Sequence, residues 1–584
     1  MKTIYGIIAL SAVLAVTVYT CGPRDAVLTP AEAERYRRKQ EKAARAASYF
    51  EARAQYEREM LKDPATGTIP RGIMQQEVAF ARTIAVRNRS TGVQGQGKVL
   101  LQNTYIPAGP NNIGGRTRAL AFDVRYNGSS NRVIIAGCVS GGTMRSADGG
   151  ITWTLVTPPN EIHNLTALVQ DPRPGFQDQW YAGGGEFVGN SASEVGAPYL
   201  GFGIWKSVDN GLTWNKLTNS ITELNGSVIG EGQLAAFDHP FDIVHRMVMN
   251  PVNGHLFIAG HRRLVRSTDG GASFQVVFGS NAAANSATGQ MDIAMTQTGR
   301  LYLAVNGAIP DPSARGIWIS STGNAGSFTR IAGGQTVGVD SVQGWRGNAY
   351  TGGTRRILIT LAPSDQNIGY VFYENGLTSD PPELKPEADL FRFTSSGSSF
   401  TWSNRSANMP DFPGGNLAGS DPLSVQGGYD MMVRVKPDDP NTVFIGGTNL
   451  YRSTDGFSTT STTAWIGGYR TDFTYRLYPN SHADIHDLVF NPVNPNHAIC
   501  ANDGGIQHTT SISASPVSWT FPANYQSLQY YHVAMDPDPG RNNFAGGSQD
   551  NGVRLRDRMG IFGQPAADSN NHVLLFSADG GHVG

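Results

Sequence analysis

From about residue 104 onward, short apolar runs alternate with polar turn residues at strand spacing, and one phrase keeps returning. Arg246-Met247-Val248-Met249-Asn250-Pro251 leads into His255-Leu256-Phe257-Ile258-Ala259-Gly260. Met432-Val433-Arg434-Val435-Lys436-Pro437 leads into Thr442-Val443-Phe444-Ile445-Gly446-Gly447 in the same way. Each is a strand, a turn and a second apolar strand. Second strands of this kind lie near residues 133, 180, 256, 301, 369, 443, 498 and 543, about eight units in all. A ninth is expected to open at His572-Val573-Leu574-Leu575-Phe576 and to stay incomplete at Gly584.

A second pattern punctuates the first. Ser146-Ala147-Asp148-Gly149-Gly150-Ile151-Thr152-Trp153 recurs as Ser207 to Trp214 and Ser267 to Phe274, with spacings of 61 and 60 residues. Degenerate copies run from Ser321 to Phe328 and from Ser453 to Gly456. In such an Asp-box, serine and aspartate side chains bond the backbone of their own turn, glycines supply positive φ, and the terminal aromatic packs inward. The box residues Ser146, Asp148, Trp153, Ser207, Asp209, Trp214, Ser267, Asp269 and Phe274 are therefore structural. One unit reads strand, turn, strand, loop, strand, Asp-box, strand: a four-stranded blade. The fold expected over residues 101–584 is an all-β, multi-bladed β-propeller.

The N-terminal part differs in period. Ile4 to Tyr19 is an apolar run after Lys2, and Val18-Tyr19-Thr20-Cys21 follows it. This reads as a lipoprotein signal over residues 1–20 with Cys21 as the lipidated residue, so the chain is expected to be exported and anchored to the outer membrane. Thr29-Pro30-Ala31-Glu32 is a helix start with a capping box. Helix formers continue to Leu61, with Tyr36, Ala43, Ala47 and Phe50 on one stripe, until Asp63-Pro64 and Thr66-Gly67 break the pattern. Residues 21–100 are thus expected to be a helical stalk and linker.

Composition adds exclusions. Seventy glycines and 16% charged residues suit a turn-rich β-protein, and a formal charge of −1 offers no electrostatic footprint for nucleic acid. Cys138 and Cys500, about 360 residues apart in apolar strand-like runs, read as buried small hydrophobes, not a disulfide framework.

Further strings carry a resemblance: Lys62-Asp63-Pro64-Ala65-Thr66-Gly67-Thr68-Ile69-Pro70, Gly109-Pro110-Asn111-Asn112-Ile113-Gly114-Gly115-Arg116, His482-Ala483-Asp484-Ile485-His486, Asn502-Asp503-Gly504-Gly505 and Gln549-Asp550-Asn551-Gly552. With these and its boxes, nearly everything after residue 55 resembles the sortilin-type, Asp-box propellers on the surface of Bacteroidota, which are often labelled glycosyl hydrolases. The resemblance implies a ring of ten blades in a longer chain. It also implies export by type IX secretion, although no sorting domain of that system is present in these 584 residues.

Candidate chemistry sits opposite the Asp-boxes, where loops enter first strands and join second to third strands. His482, Asp484 and His486 alternate at the start of a first strand and are expected to face one side. Asp503 follows in the next loop of that unit, and Asp550 in the equivalent loop of the next. Together they suit a divalent cation such as calcium, or acid–base chemistry, although Asp-Gly-Gly and Asp-Asn-Gly are also ordinary tight turns. Trp345 and the stretch from Tyr469 to Tyr478 are candidates for a sugar platform. The sialidase element is missing, because Phe328-Thr329-Arg330-Ile331 lacks its proline.

The leading expectation is a non-catalytic surface propeller that binds or scaffolds a protein, peptide or glycan. The alternatives are an Asp-box glycoside hydrolase and a structural subunit of an envelope or extracellular assembly.

Overall fold

The computed structural model divides the chain into two units, Met1–Arg53 and Ala54–Gly584. The described residues are 59, 62–68, 76, 80 and 83, then 108–583 without 159–160, 162, 187–200, 221–227, 230–232, 235–239, 280–289, 307–313, 347–355, 378–386, 411–422, 470–476, 539–542, 557–569, 578–579 and 582. The signal segment, Cys21 and the expected stalk helix lie outside them, save Glu59 near the end of that helix, which is helical. Within the linker, the break at Asp63 to Gly67 is an Asx turn: the Ala65 amide donates to Asp63 Oδ1 at 2.8 Å, and Gly67 takes φ +66°. Among the described residues, no helix is long and apolar enough to cross a membrane.

The rest is antiparallel β. Among the described residues, seven sheets have four strands in sequence order, one, Ile485–Asn491 with Asn494–Asn502 and Gly505–Thr509, has three, and a short pair joins Val228–Ile229 to Gln233–Leu234. All eight expected second strands are present, from Ile134–Cys138 to Phe544–Ser548. Most are buried along their whole length, because a blade is covered on both faces by its neighbours.

Seven hydrophobic clusters fix the architecture, since each lies between two successive blades. The last of these interfaces packs Leu120, Ala136 and Trp153 of blade one against Ile499, Ala501 and Ile506 of blade seven, so the ring closes there. It closes at seven blades, not at the ten implied by the resemblance. The closing segment carries no strand period of its own: Tyr525 gives its hydroxyl to Thr117 Oγ1 at 2.8 Å, Trp153 meets its ring edge-on at 5.2 Å, and Ser527 Oγ accepts from the Gly115 amide at 2.9 Å. Thr152 and Ala523 form a parallel bridge beside it.

The eighth sheet, His532–Met535, Phe544–Ser548, Gly552–Arg556 and Val573–Phe576, stands outside the ring. Val573–Phe576 pairs with Gly552–Arg556, so it is the fourth strand of this sheet and not the start of a ninth unit. Met535, Leu574, Leu575 and Phe576 on its outer strands are exposed.

Blades approach closely where second strands carry glycine. A Cβ on Gly137 would lie 2.6 Å from Leu165 Cβ, and one on Gly446 would lie 2.8 Å from Ile485 Cγ2. In both cases the obstacle is the first strand of the next blade.

The Asp-boxes do what their composition requires. Ser146 Oγ donates to Asp148 Oδ1 at 2.8 Å and accepts the Gly150 amide at 2.8 Å, while the Thr152 hydroxyl donates to Asp148 Oδ2 at 2.6 Å. Trp153 and Trp214 are buried, and their Nε1 atoms donate to the carbonyls of Gly150 and Gly211. At the third box, the Ser273 hydroxyl and amide hold the Asp269 carboxyl down to about 2. In the degenerate copy the register moves by one residue: Ser320, not Ser321, takes the serine's place and accepts the Gly323 amide at 2.8 Å.

Asp148→Ala should lower stability by about 1–3 kcal/mol, since the Ile151 and Thr152 amides and the Thr152 hydroxyl lose their acceptor. Urea unfolding followed by tryptophan fluorescence measures it. A loss under about 0.3 kcal/mol would mean that water replaces the carboxylate without cost.

Candidate functional site

In an antiparallel meander, the entry to the first strand and the exit from the second lie at the same end. Arg116 immediately precedes the first strand of blade one, Thr117–Phe122. Tyr429 and Asp430 precede that of blade six, Met432–Val435, and Asp484 precedes that of blade seven, Ile485–Asn491. Glu186 follows the second strand of blade two, Trp180–Gly184, and Asp503 follows that of blade seven. Asp550 has the equivalent place in the eighth sheet. Seven chemistry-bearing residues from five sheets thus gather at one end of the ring.

Arg116 is the hub. Its Nε donates to Asp503 Oδ1 at 3.0 Å, its Nη1 to Glu186 Oε2 at 2.9 Å, and its Nη2 lies 3.3 Å from Asp503 Oδ2 and 3.5 Å from Asp550 Oδ2. Arg118 pairs with the other oxygen of Glu186 and donates to the Tyr429 carbonyl at 3.3 Å. Both guanidinium groups lie over the Tyr429 ring, at 5.0 and 4.7 Å from its centroid. The Tyr429 hydroxyl donates to Asp503 Oδ2 at 2.9 Å.

The four aspartates divide into one that is ionised and three that hold protons. Burial would raise the Asp503 carboxyl, but Arg116, then His486, hold it well below the usual carboxylate range. Burial, and then the charge of Asp503, push Asp430 and Asp550 well up. For Asp484 burial again comes first, followed by Asp430 and Asp503. As a carboxylate, Asp430 would have no donor on either oxygen. The protonated Asp484 carboxyl donates to it, and a second carboxyl–carboxyl bond runs from Asp550 to Asp503. Burial, then Arg118, drive His486 down to about 3, so it is neutral near pH 7. Its Nε2 donates to Asp503 Oδ1 at 2.5 Å, while its Nδ1 faces Asp430 Oδ1 at 3.7 Å.

The five residues singled out in the sequence therefore split. Asp484, Asp503 and Asp550 offer oxygens within 4.8 Å of one another, and His486 joins them through Asp503. His482 does not face the same side as Asp484 and His486. Asp484 takes φ +64°, which breaks the strand alternation behind that expectation. The His482 ring instead covers Gly504, with Nδ1 at 3.0 Å from the Ala483 carbonyl and Nε2 at 3.1 Å from that of Asp550.

Sequence reading passed over Arg118, Glu186, Tyr429 and Asp430. Their common signal is position, one to three residues outside a first or second strand, or just inside one for Arg118. Two of the aromatic candidates are core: Trp345 is buried against Tyr373, Phe391 and Trp402, and Tyr478 is buried with its hydroxyl on the Val517 carbonyl, while residues 470–476 lie outside the described residues. Cys138 and Cys500 are buried free thiols, as expected.

The spacing of the three aspartates suits a calcium ion, whose oxygen ligands sit about 2.3–2.6 Å away. Their shared side, however, already holds the Arg116 guanidinium, which neutralises Asp503 and reaches Asp550. The donor set does not fit a cation while Arg116 is in place. Nor do the two bonded pairs, Asp430 with Asp484 and Asp503 with Asp550, fit a glycosidase, whose two acids stand about 5–9.5 Å apart with the sugar between them. Here they bond each other directly, and Asp430, Asp484 and Asp503 are buried.

No protein-family model matches the chain, and no curated protein does. Among solved structures, it is similar to a GH74 xyloglucanase of Xanthomonas campestris, with 18% identity and a TM-score of 0.49 over 77% of this chain and 60% of that one. It is similar to the GH74 enzyme of Niastella koreensis at 16% identity and TM-score 0.49, over 79% and 61% of the two chains. A third similar structure is YCF48 bound to D1 peptide, with 12% identity and a TM-score of 0.35 over 69% of this chain and 98% of that one. The chain thus spans less than two thirds of the length of the first two structures. At these identities the likeness carries nothing beyond the β-propeller fold.

Proposed function

We propose that this chain is a non-catalytic binding propeller, exported and displayed at the cell surface through a lipid on Cys21. It recognises a protein, peptide or glycan with the face opposite the Asp-boxes. The observation that carries this reading is the state of the carboxyls at that face. They are spent on one another and on Arg116, and none is left as a free pair to flank a scissile bond. Connection lengths support the choice of face. Blade two runs from Gly184 to Ile204 between its second and third strands, and blade five from Glu374 to Ala388. On the other face, the first two strands of blade seven are joined by two residues, Pro492 and Val493. Long loops on a rigid ring are where recognition resides.

The test is incubation with a panel of bacterial and plant polysaccharides, measuring new reducing ends, alongside affinity electrophoresis on the same panel and pull-down of surface proteins. The expected result is retention of a glycan or protein without release of reducing ends. Release that disappears in an Asp484→Asn/Asp550→Asn variant would make the chain a glycosidase and overturn the proposal.

A further inference from the structure

A cavity of about 330 Å³ lies in the ring, walled by the first strands of its blades. Four arginines from four blades line it: Arg118, Arg246, Arg356 and Arg434. That concentration of cationic side chains is unusual for a chain whose overall charge is −1.

The carboxylates nearby do not cancel it. Glu186 is shared between Arg118 and Arg116. Asp292 holds Arg246 with one oxygen and accepts the Ile359 amide at 2.9 Å with the other. Asp487 accepts from Arg434 Nη2 at 2.5 Å and from its neighbour's amide, Leu488, at 2.8 Å. Among the described residues, Arg356 has no carboxylate hydrogen-bond partner. Among the described residues its hydrogen bonds go to two carbonyls, those of Gly428 at 3.2 Å and Tyr429 at 3.1 Å, which orient the guanidinium without neutralising it. Burial, then the charge of Arg118, bring Arg356 down to about 9, the mark of a cation short of a counter-charge. His245 lines the same cavity, and its Nε2 has no hydrogen-bond partner among the described residues.

We infer that this channel is a binding site for a small oxyanion, a carboxylate, sulfate or phosphate group on a molecule no larger than a sugar acid, with Arg356 as its principal charge partner. A guanidinium fork matches planar and tetrahedral oxyanions, and the cavity is at the lower end of the volumes that hold small ligands. The buried acid Asp430 is not available as the missing counter-ion, because burial and the charge of Asp503 keep it in its protonated form. The cavity adjoins the carboxyl cluster and shares Arg118, Glu186, Tyr429 and His486 with it, but the charge that carries this inference is Arg356, whose hydrogen bonds go to carbonyls and to none of that cluster's carboxyls.

The test compares sulfate, phosphate, citrate and galacturonate with chloride at equal ionic strength, by calorimetric titration and melting temperature. Saturable binding is expected for at least one of them, weakened about tenfold or more in Arg356→Gln and only partly recovered in Arg356→Lys, whose ammonium keeps the charge but not the fork. Arg300→Gln, on the surface beside Tyr302, should leave the response unchanged. The inorganic and the carboxylate arms separate the two sources of the oxyanion. Crystals of the unaltered chain grown with selenate give a readout that does not depend on a variant folding: an anomalous peak within hydrogen-bond reach of Arg356 is expected. Equal responses in wild type and Arg356→Gln, or no anomalous peak in the channel, would overturn the inference. Polysaccharide release would sink the binding reading while leaving this result untouched.

Discussion

Arg116→Met should cost the fold about 3–5 kcal/mol, a large part of the total stability of an ordinary domain. The side chain is only 11% exposed and serves three carboxyls at once, Glu186, Asp503 and Asp550. Methionine fills much of the same volume, so the loss is electrostatic rather than steric. It leaves Asp503, ionised and 1% exposed, with the neutral donors Tyr429, His486 and the Asp550 carboxyl but no cation beside it. Lysine should not rescue it, because one ammonium cannot reproduce a planar fork that reaches across two blades and the eighth sheet. The decisive comparison is the double variant Arg116→Met/Asp503→Asn. Removing both charges should recover at least about 1 kcal/mol of the loss seen with Arg116→Met alone, a coupling that urea titrations of the four proteins measure directly. If the single variant loses less than about 1 kcal/mol, water reaches Asp503 and the network is not closed.

How much of this was legible in the sequence follows from the range of each interaction. The blades were, because a strand, its turn and its Asp-box lie within a few residues of one another. Ser207 and Asp209 meet across two residues, and Trp214 meets the Gly211 carbonyl across three. Closure at seven was not, because it depends on accumulated twist and on the segment from Trp519 to Ser527, which latches onto blade one by isolated side-chain contacts and one short backbone bridge. Val573–Phe576 looked like the opening of a unit because an apolar run reads the same in a first strand as in a fourth. The site was half legible. Asp484, Asp503 and Asp550 announced themselves by tight-turn strings, whereas the Arg116 contacts to Glu186 and Asp503 span 70 and 387 residues. Aligning every unit on its second strand would have set Glu186 beside Asp503 and Asp550, since all three sit at the same exit. His482 was misplaced for a local reason: one residue in the left-handed region, Asp484, rotates the chain before the strand begins.

The protonated carboxyls make a pH prediction whose sign is fixed. An unfolded aspartate titrates near pH 3.9. Asp430, Asp484 and Asp550 titrate well above that in the folded chain, because burial and neighbouring acids penalise their charged forms. Above about pH 4 the folded state therefore holds protons that the unfolded state has released, and stability falls as pH rises through the raised folded values. Asp503 acts in the opposite sense. Its contribution is present above the unfolded value and is lost only as pH falls toward its depressed folded value, so it does not enter the neutral range. His486, depressed to about 3, costs stability below the unfolded histidine value of about 6.5 and contributes no slope above it. Comparing wild type with Asp430→Asn cancels the part of this background that the two proteins share. The amide stays neutral and donates to Asp484, removing one group from the set that must hold a proton. The variant should melt above wild type by on the order of 2 °C at pH 8, with the gap narrowing toward pH 5. A gap that is constant from pH 5 to 8, or that widens toward low pH, would mean that Asp430 is ionised in the folded chain and that its charge is met from elsewhere.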